Sequence, residues 1–423
     1  MKKLLVLGSV NSSLEVVRHA KKMGYYTIVV SNAPGEASAI ADEFVQIDIK
    51  DKDTIVKVIR EFGIDGIFTG PSEFLTKTMI DICETTGLRC YVTSKQWNIC
   101  QDKKQFKILC KKFGVPCIPD YELTAEMKRE DLARIKFPVI VKPVDSFSSK
   151  GISVCNSESE LAGAIDFALS FSPSKQFIVE RYITNDYGFS CRYIANNGEI
   201  FLTATNDRYT VDQAGGRAMI SGLSIFPSKK TKEYIDNINN NVIAMFKSVG
   251  LKNGSFFMQA LIDDDGQIYF HEMGLRLSGG LVFKMFEETC GYNDLEMMIR
   301  YAMEGQMATP EEESKINPYF NNIYTCSLTL PMKVGTITKI EGKDAVLANE
   351  HVIEFIQYYH EGDTIIDDYI GTLSQHFGRV KIVATDEGQI YSTIRMIHNT
   401  LRIIDINGNN LIYKNFDLNR ILK

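Results

Sequence analysis

The segment from Ser255 to Glu272 restricts the fold more than any other part of the chain, because it predicts a β-hairpin of defined register. Two β-prone runs of residues flank Asp265 and Gly266. Asp-Gly between such runs is the strongest short-range signal for a two-residue type I′ turn. With these two residues as the loop, Gln259 is directly opposite Glu272.

The predicted register places Gln259 and Glu272 on one face of the hairpin, with Cβ atoms about 5 Å apart. Two oxygen-bearing side chains at that separation can bind a hard divalent cation such as Mg²⁺. Arg276, Gly279 and Gly280 follow shortly afterwards. A metal ion, a fixed cation and a loop rich in N–H groups together suit a transferring phosphoryl group. The simpler interpretation, for this hairpin alone, is a polar cross-strand pair on a surface.

Length, charge and cysteine content exclude several classes of protein. At 423 residues the chain is long enough for two or three domains. Its net charge of −6 argues against a nucleic-acid partner, which requires a basic face. The nine Cys are scattered without a CxxC pair, which favours reduced thiols in a cytoplasmic protein. The first apolar run is too short for a signal peptide, and none approaches the ~20 residues that span a bilayer, so we expect no membrane partner.

Residues 1–95 are predicted to form a Rossmann-like domain, because strands alternate with helices as in a parallel α/β sheet. The predicted strands are residues 3–7, 26–31, 44–47 and 66–68. Ligands of such sheets bind beyond the carboxyl ends of the strands. Glu73 lies at this edge and is a candidate substrate contact. An acidic residue that opens a helix is an equally good interpretation of Glu73.

Residues 96–310 carry lysines and a polar loop in an order that suits a nucleotide. Lys103 opens a predicted helix, and an apolar strand at 137–141 delivers Lys142. A lysine at the end of a strand either binds an anionic partner or extends to water. The Ser-rich loop that ends at Gly151 has N–H groups and hydroxyls that could surround a triphosphate, although solvated loops of this composition are frequent.

A polar stretch at 305–320 predicts the end of this second domain near residue 310. Residues 311–423 are predicted to form a small strand-rich domain. They contain no recognisable catalytic cluster. A homodimer is the default expectation for the assembly.

The order of these features resembles the ATP-grasp superfamily, and within it the carboxylate–amine ligases. A lysine on a helix, a lysine on a strand, a Ser-rich loop, a strand ending Glu-Arg-Tyr-Ile and the hairpin follow in sequence between about residues 3 and 310. The subgroup includes bacterial L-amino acid ligases, beside biotin carboxylase, carbamoyl phosphate synthetase halves and glycinamide ribonucleotide synthetase. The matching motifs are Ala41-Asp42, Asp102-Lys103, Gly114-Val115-Pro116, Lys142-Pro143 and Ser149-Lys150-Gly151.

The resemblance implies a fold that combines α/β and α+β parts. These are a Rossmann-like N-terminal domain (1–95), an ATP-grasp domain (96–310) with a lid subdomain at about 115–183, and a strand-rich C-terminal domain (311–423). It also implies an enzyme that uses ATP with Mg²⁺, or alternatively Mn²⁺, and acts on a small-molecule carboxylate and amine.

Transferred residue by residue, the resemblance implies a role for each candidate. The ATP phosphates would contact Lys103 and Lys142. The phosphate lid would consist of Ser148, Ser149, Lys150 and Gly151. Adenine would be held by Glu180, Arg181 and Ile183, and the acid nearest the expected ribose position is Asp186. The metal would be bound by Gln259 and Glu272, the catalytic residues would be Arg276 and Lys142, and the substrate contacts would be Glu73, Arg208, Arg276, Gly279 and Gly280.

Two departures from the family pattern concern the metal. The family hairpin often ends Glu-x-Asn-x-Arg, whereas here Gly274 stands at the Asn position, and Gln259 is an amide where an acid is common. One carboxylate and one amide can still bind Mg²⁺, which keeps waters and takes phosphate oxygens as further ligands.

The implied activity is ATP-dependent amide formation between a carboxylate and an amine through an acyl phosphate. Three alternatives remain open at this point. The chain could be an enzyme like glycinamide ribonucleotide synthetase, one like carbamoyl phosphate synthetase or a carboxylase, or an ATP-binding protein with impaired catalysis.

Overall fold

The computed structural model describes residues 1–9, 11–124, 127–145, 151–184, 187–211, 220–413 and 415–421. Its N-terminal region is a parallel sheet with strands in the order β3-β2-β1-β4. The elements are β1 (Lys3–Leu7), α1 (Asn11–Lys22), β2 (Tyr26–Ser31), α2 (Glu36–Ile40), β3 (Glu43–Gln46), α3 (Lys52–Phe62), β4 (Gly66–Thr69) and α4 (Glu73–Thr86). Leu4, Leu5, Val6 and Leu7 are fully buried, as expected of a parallel strand covered on both faces. The α/β prediction for this region is confirmed.

A smaller antiparallel sheet forms the next region, with strands in the order β5-β8-β6-β7. The elements are α5 (Ser94–Gln101), α6 (Lys103–Phe113), β5 (Asp120–Tyr121), α7 (Arg129–Leu132), β6 (Val139–Pro143), β7 (Ser153–Cys155), α8 (Leu161–Phe171) and β8 (Phe177–Arg181). The apolar side chains of α8, such as Leu161 and Ile165, share a core with Val139 and Val141 of β6. Lys142 thus lies inside β6, next to the last residue of the strand.

The next elements begin a large sheet. They are β9 (Tyr187–Asn196), β10 (Glu199–Val211), β11 (Ile220–Phe226), α9 (Thr231–Tyr234), α10 (Asn240–Val249), β12 (Gly254–Ile262) and β13 (Ile268–Gly274). A π-helical turn at Ile235–Asn239 joins α9 to α10, so the predicted helix at 231–249 is continuous.

The C-terminal region extends the same sheet. Its elements are α11 (Phe283–Cys290), α12 (Asp294–Glu304), α13 (Pro310–Ser314), β14 (Tyr324–Pro331), β15 (Gly335–Thr336), β16 (Lys339–Glu341), α14 (Lys343–Leu347), β17 (Val352–Gln357), β18 (Thr364–Ile365), β19 (His376–Ala384), α15 (Glu387–Thr400) and β20 (Arg402–Ile404). The eight strands lie in the order β13-β12-β9-β10-β11-β14-β19-β17. Strands from both sides of residue 310 therefore share one sheet, and the predicted domain boundaries stay predictions.

The turn between β12 and β13 differs from the prediction. The loop has three residues rather than two, because Asp263 N–H donates to Gln267 O at 3.1 Å and Gly266 N–H donates to Asp263 O at 2.9 Å. The Asp263 carboxylate also accepts the N–H groups of Asp265 and Gln267, at 3.1 and 2.9 Å. This side chain closes a longer loop, so the two-residue type I′ turn is wrong.

A β-bulge restores the predicted register farther along the hairpin. Next to the turn, Ile262 pairs with Ile268, one position away from the predicted register. His271 is then left without an opposite residue, and beyond it Gln259 pairs with Glu272. The predicted pairing is therefore confirmed, although a longer loop and a bulge produce it together.

Two further findings bear on the sequence-based expectations. Each of the nine cysteines is a free thiol. Within the described residues, every helix is too short or too polar to cross a membrane.

Candidate active site

A row of polar side chains crosses the large sheet from β13 to β10. Glu272 is opposite Gln259, Gln259 is opposite Ser190, and Ser190 is opposite Asn206. Side chains in register on neighbouring strands point to the same face. The opposite face of β12 is buried in the core through residues such as Met258. The structure thus brings the two predicted metal ligands together on the open face.

Glu272 lies in a cleft between this face and the N-terminal region. Its side chain is exposed to the cleft, but the surrounding protein excludes much of the bulk water. This desolvation raises the pKa of Glu272, and the nearby Glu73 carboxylate raises it further. The positive charges of Arg276, Arg208 and Lys103 oppose the shift. Residues predicted separately as metal, phosphate and substrate contacts therefore surround one carboxylate.

Glu180 is buried between two lysines at one end of the cleft, which we call the nucleotide end because the predicted phosphate and adenine contacts lie there. Its side chain is 1% exposed, with Lys107 Nζ 2.7 Å from Oε1 and Lys142 Nζ in contact with Oε2. Two ammonium groups compensate the cost of burying this carboxylate. Sequence reasoning missed Lys107, although its position four residues after Lys103 on α6 places both on one helix face.

Lys103 is the third lysine at this end. Its Nζ donates to Val144 O at 3.2 Å. Burial lowers the pKa of Lys103, and the nearby Lys142 ammonium lowers it further. An anionic phosphate would relieve the repulsion between these two lysines.

Arg181 and Ile183 lie where the chain leaves the small sheet. Arg181 N–H donates to Pro119 O at 2.9 Å, and its guanidinium donates to the Asp263 carboxylate at 2.6 Å. Ile183 is buried two residues later. The Arg181 amide is thus engaged within the protein, and the predicted adenine contacts stay predictions.

Gly151 is the described residue of the predicted phosphate lid. It has φ of +76°, and a Cβ at this position would lie 2.9 Å from Phe171 Cβ. The conformation and the close contact both favour glycine. The other lid candidates, and the candidate for ribose, lie outside the described residues; they are Ser148, Ser149, Lys150 and Asp186.

Arg276 is fixed at the edge of the cleft by three contacts. Its Nη2 donates to Glu73 Oε1 at 3.0 Å, and its Nη1 donates to Leu277 O at 3.0 Å. Its guanidinium also lies 5.2 Å from the centre of the Phe257 ring. Glu73 opens α4 after the capping residue Ser72, which confirms the helix-start interpretation, while its substrate contact stays a prediction. The structure brings these two predicted substrate contacts together.

Phe257 accounts for the glycine at position 274. The two residues are opposite each other, and a Cβ on Gly274 would lie 2.5 Å from two ring atoms of Phe257. The ring therefore takes the space of a side chain at this position. In the described part of the chain, no group of three or more His, Cys, Asp and Glu side chains could hold a metal ion. Gln259 and Glu272 fit one Mg²⁺ that completes its shell with water and phosphate oxygens.

Arg208 and His271 also face the cleft. Arg208 crosses over Gly188, where a Cβ would lie 2.8 Å from its Nη2. Strict strand alternation predicts that His271 points away from Glu272, but the bulge changes its direction. Burial, followed by the field of nearby basic residues that include Lys142 and Arg208, lowers the pKa of His271 well below its usual value. The imidazole is therefore neutral.

Gly279 and Gly280 lie in a loop that strand β19 holds. Arg379 Nη1 donates to Gly279 O at 3.0 Å, and Lys381 Nζ donates to Gly280 O. Sequence reasoning assigned no cluster to this region. The two contacts join residues about one hundred positions apart, and no spacing rule could have indicated them.

Arg192 on β9 supports the same loop from the sheet. Its Nε donates to Ser278 Oγ at 3.2 Å, and its Nη1 donates to Asn206 Oδ1 at 2.5 Å. Its guanidinium lies 4.9 Å from the centre of the Phe226 ring. Burial lowers the pKa of Arg192 to about 10, which still leaves it charged at neutral pH.

Known proteins are similar to this chain in the sequence of its central region and in its overall architecture. The family described as "Carbamoyl-phosphate synthase L chain, ATP binding domain" matches residues 102–309. A formate-dependent phosphoribosylglycinamide formyltransferase of Bacteroides thetaiotaomicron is 30% identical over 191 residues, which are 44% of this chain and 49% of that protein. The chain thus spans about half the length of the curated relatives it matches.

Solved structures match nearly the whole chain. An L-amino acid ligase from Bacillus licheniformis has a TM-score of 0.77 at 17% identity, covering 96% of this chain and 99% of that one. The biotin carboxylase domain dimer of Hydrogenobacter thermophilus 2-oxoglutarate carboxylase, in complex with MgADP, ADP and bicarbonate, has a TM-score of 0.76 at 19% identity, covering 94% and 90%. The chain has an ATP-grasp fold.

In this ATP-grasp fold, the residues of the cleft come from three parts of the chain. Lys103, Lys142 and Glu272 lie within the region that the family matches. Glu73 comes from the parallel N-terminal sheet region, and the C-terminal strand β19 holds the loop of Gly279 and Gly280. The resemblance to the superfamily is confirmed for the fold, while the roles of the individual residues stay predictions.

Proposed function

We propose that the chain is an ATP-dependent ligase, which joins a carboxylate to an amine through an acyl phosphate and releases ADP and phosphate. The observation that carries this proposal is the pairing of Gln259 with Glu272 on the open face of a cleft. Lys103, Lys142 and Arg276 line the same cleft. The pair suits a divalent cation, and the basic residues suit a triphosphate and an acyl phosphate.

The nucleotide would lie between the small sheet and the large sheet. Lys103 and Lys142 would bind its phosphates, and Lys142 would then exchange its contact with Glu180 for a phosphate oxygen. Gln259 and Glu272 would hold Mg²⁺, which shields phosphate charge when bound. Mn²⁺ suits the same oxygen ligands and should replace it.

Phosphoryl transfer activates the carboxylate, whose charge and resonance otherwise disfavour nucleophilic attack on its carbon. A carboxylate oxygen would attack the γ-phosphorus of ATP while the bond to the bridging oxygen of ADP breaks. Arg276 would stabilise the charge of the resulting acyl phosphate. The amine would then attack the acyl carbon, phosphate would leave with the bonding electron pair, and the nitrogen would lose a proton. An amide and free phosphate result.

The relatives narrow the substrates to test. The name of the curated relative contains formate and phosphoribosylglycinamide, and that of the solved neighbour contains L-amino acids. Both names fit the joining of a carboxylate to an amine. Arg208 suits a substrate carboxylate, and Glu73 would contact the substrate beside Arg276. The alternatives that resemble glycinamide ribonucleotide synthetase or a carboxylase use the same cleft with another acceptor.

The proposal has consequences for compartment and assembly. A cytoplasmic location agrees with the nine free thiols, because a reducing compartment keeps thiols in this state. A homodimer is our expectation for the assembly, and the biotin carboxylase neighbour is named as a domain dimer. We retain 1–95, 96–310 and 311–423 as the proposed domains.

The test is phosphate release from ATP in the presence of pooled carboxylates and pooled amines, with Mg²⁺ or Mn²⁺. The pools should contain formate, L-amino acids and phosphoribosylglycinamide. We expect release that requires one acid and one amine together, with an amide of the corresponding mass. Release that is independent of both pools would contradict the ligase proposal.

A catalytically impaired ATP-binding protein is the second candidate. The observation that favours it is the Phe257 ring, which fills the space of a third metal ligand beside Gly274. Such a protein would bind ATP in calorimetry and release no phosphate with any pair of substrates. The same screen therefore separates the two candidates.

A further inference from the structure

Three C-terminal strands present a polar face to the loop at 277–284. One face of β14 and β19 is packed in an apolar core that includes Leu328 and Val380. The other face is polar, and adjacent residues on β14, β19 and β17 are in register there. The polar residues are Ser327, Glu354, Arg379 and Lys381.

This polar face contacts the loop at Gly279 and Gly280 and the start of the helix that follows it, α11. Arg379 and Lys381 donate to the carbonyls of Gly279 and Gly280, as described above. Four residues later in the chain, Lys284 Nζ contacts the Glu354 carboxylate and lies 3.3 Å from Glu15 of α1. The loop is thus tied to the C-terminal strands and to the N-terminal region.

Lys381 makes its contacts from a fully buried position. Its exposure is 0%, and besides Gly280 O its Nζ reaches Ser327 Oγ at 3.0 Å. Burying an ammonium group is costly unless it is hydrogen-bonded. The Lys381 ammonium group therefore forms two hydrogen bonds, one to the loop and one to the neighbouring strand β14.

The direction of the two carbonyls fixes the direction of the neighbouring amides. In a planar trans peptide, the C=O and the following N–H point to opposite sides. The carbonyls of Gly279 and Gly280 point toward β19, so the N–H groups of Gly280 and Leu281 point away from it. Two successive amides that point away from the same strand suit an oxyanion or phosphate oxygen.

We propose that Arg379 and Lys381 are positioning residues, which fix this loop so that the amides of Gly280 and Leu281 face the acyl group of the substrate. The inference rests on the proposed function and gives the C-terminal strands a part in it. Neither side chain takes part in the chemistry itself. They act through the peptide groups that they orient.

The experiment measures hydrogen exchange by mass spectrometry over residues 277–286 in Lys381→Met and Arg379→Gln. Lys339→Met is the matched control, because Lys339 is an exposed lysine of the same region whose ion pair with Glu341 lies on the surface. We expect this segment, including the Met285 and Phe286 amides that donate to Val282 O, to exchange about tenfold faster in the two test variants. We expect the control to match the wild type.

Kinetics and binding give a second, independent reading. With the substrates found in the screen, kcat/KM for the carboxylate should fall by about 10²-fold, because small displacements of orienting groups have effects of this size. The dissociation constant of a non-hydrolysable ATP analogue should stay within about twofold of the wild-type value. Arg379→Gln is informative even where Lys381→Met does not fold, because Arg379 is only half-buried.

Two results would overturn the inference. One is unchanged exchange over residues 277–286 in Arg379→Gln, whatever the chain catalyses. The other is a loss of nucleotide affinity that parallels the loss of carboxylate turnover, which would indicate general damage. A wild-type chain that releases no phosphate would instead refute the proposed function, while the exchange data would still decide whether the strands fix the loop.

Discussion

The two ends of the cleft compensate buried positive charge in different ways. At the nucleotide end, Lys107 and Lys142 pair with the buried carboxylate of Glu180. At the loop end, Arg379 and Lys381 donate to backbone carbonyls, which are neutral. The first arrangement balances charge within neighbouring elements. The second uses charge from a distant strand to orient peptide groups.

Because of this difference, we expect the two ends to affect stability and turnover differently. Breaking a buried ion pair leaves an uncompensated charge and lowers stability strongly. Losing a hydrogen bond to a carbonyl in a loop costs less stability but frees the loop to move. We therefore expect substitutions at the nucleotide end to affect folding, and those at the loop end to affect turnover.

Glu272→Ala tests the carboxylate that stands between the two ends. Turnover should fall by more than about 10³-fold, because the metal and the charges around it lose their only carboxylate ligand on the hairpin. The free energy of unfolding should change by less than about 0.5 kcal/mol, since Glu272 is exposed to the cleft. ADP release measures the first effect, and urea unfolding measures the second. Asp264→Ala, in the exposed turn of the same hairpin, is the control, and a fully active Glu272→Ala would remove the metal assignment.

Glu180→Ala tests the nucleotide end directly. Two buried ammonium groups would lose their shared partner, so the free energy of unfolding should fall by about 3–5 kcal/mol. Urea denaturation without nucleotide measures this change, and Glu158→Ala, an exposed acid of the same region, should have almost no effect. A loss below about 1 kcal/mol would mean that the lysines reach water when Glu180 is absent. The contrast between the two ends would then disappear.

The two ends of the cleft also differ in which contacts could be predicted from the sequence. Gln259 and Glu272 are separated by one hairpin, so local rules place them together even though a three-residue loop and a bulge replace the expected turn. Lys107 could have been identified from helical spacing, because it follows Lys103 by four residues on α6. Arg379 and Lys381 were not, because their contact with the loop depends on the order of β14, β19 and β17 in the large sheet. Strand order over a hundred residues leaves no trace in local spacing.

Gly274→Asn tests the steric limit on the metal site. The new Cβ would meet the Phe257 ring at 2.5 Å, so the free energy of unfolding should fall by about 1–3 kcal/mol. Adding Phe257→Ala should relieve this clash. The double variant should therefore lose less free energy of unfolding than the sum of the two single losses, by about 1–3 kcal/mol. Thermal or urea unfolding of all four proteins measures this coupling. Additive effects would mean that the ring moves aside, which would reopen the site to a third ligand.

The smallest expected effect is on the pH dependence of stability, and it tests the loop end. Burial lowers the pKa of Lys381 from 10.5 to about 7, so between these values the unfolded chain binds more protons than the folded one. Stability should therefore rise with pH in this window, by about 1 kcal/mol more in the wild type than in Lys381→Met between pH 7 and 8. The charged or titratable groups around Lys381 are Arg379, Glu354, Arg192 and Cys326, and they are common to both proteins. A difference of the opposite sign would mean that hydrogen bonds favour the charged lysine more than burial opposes it, and the loop end would then resemble the nucleotide end.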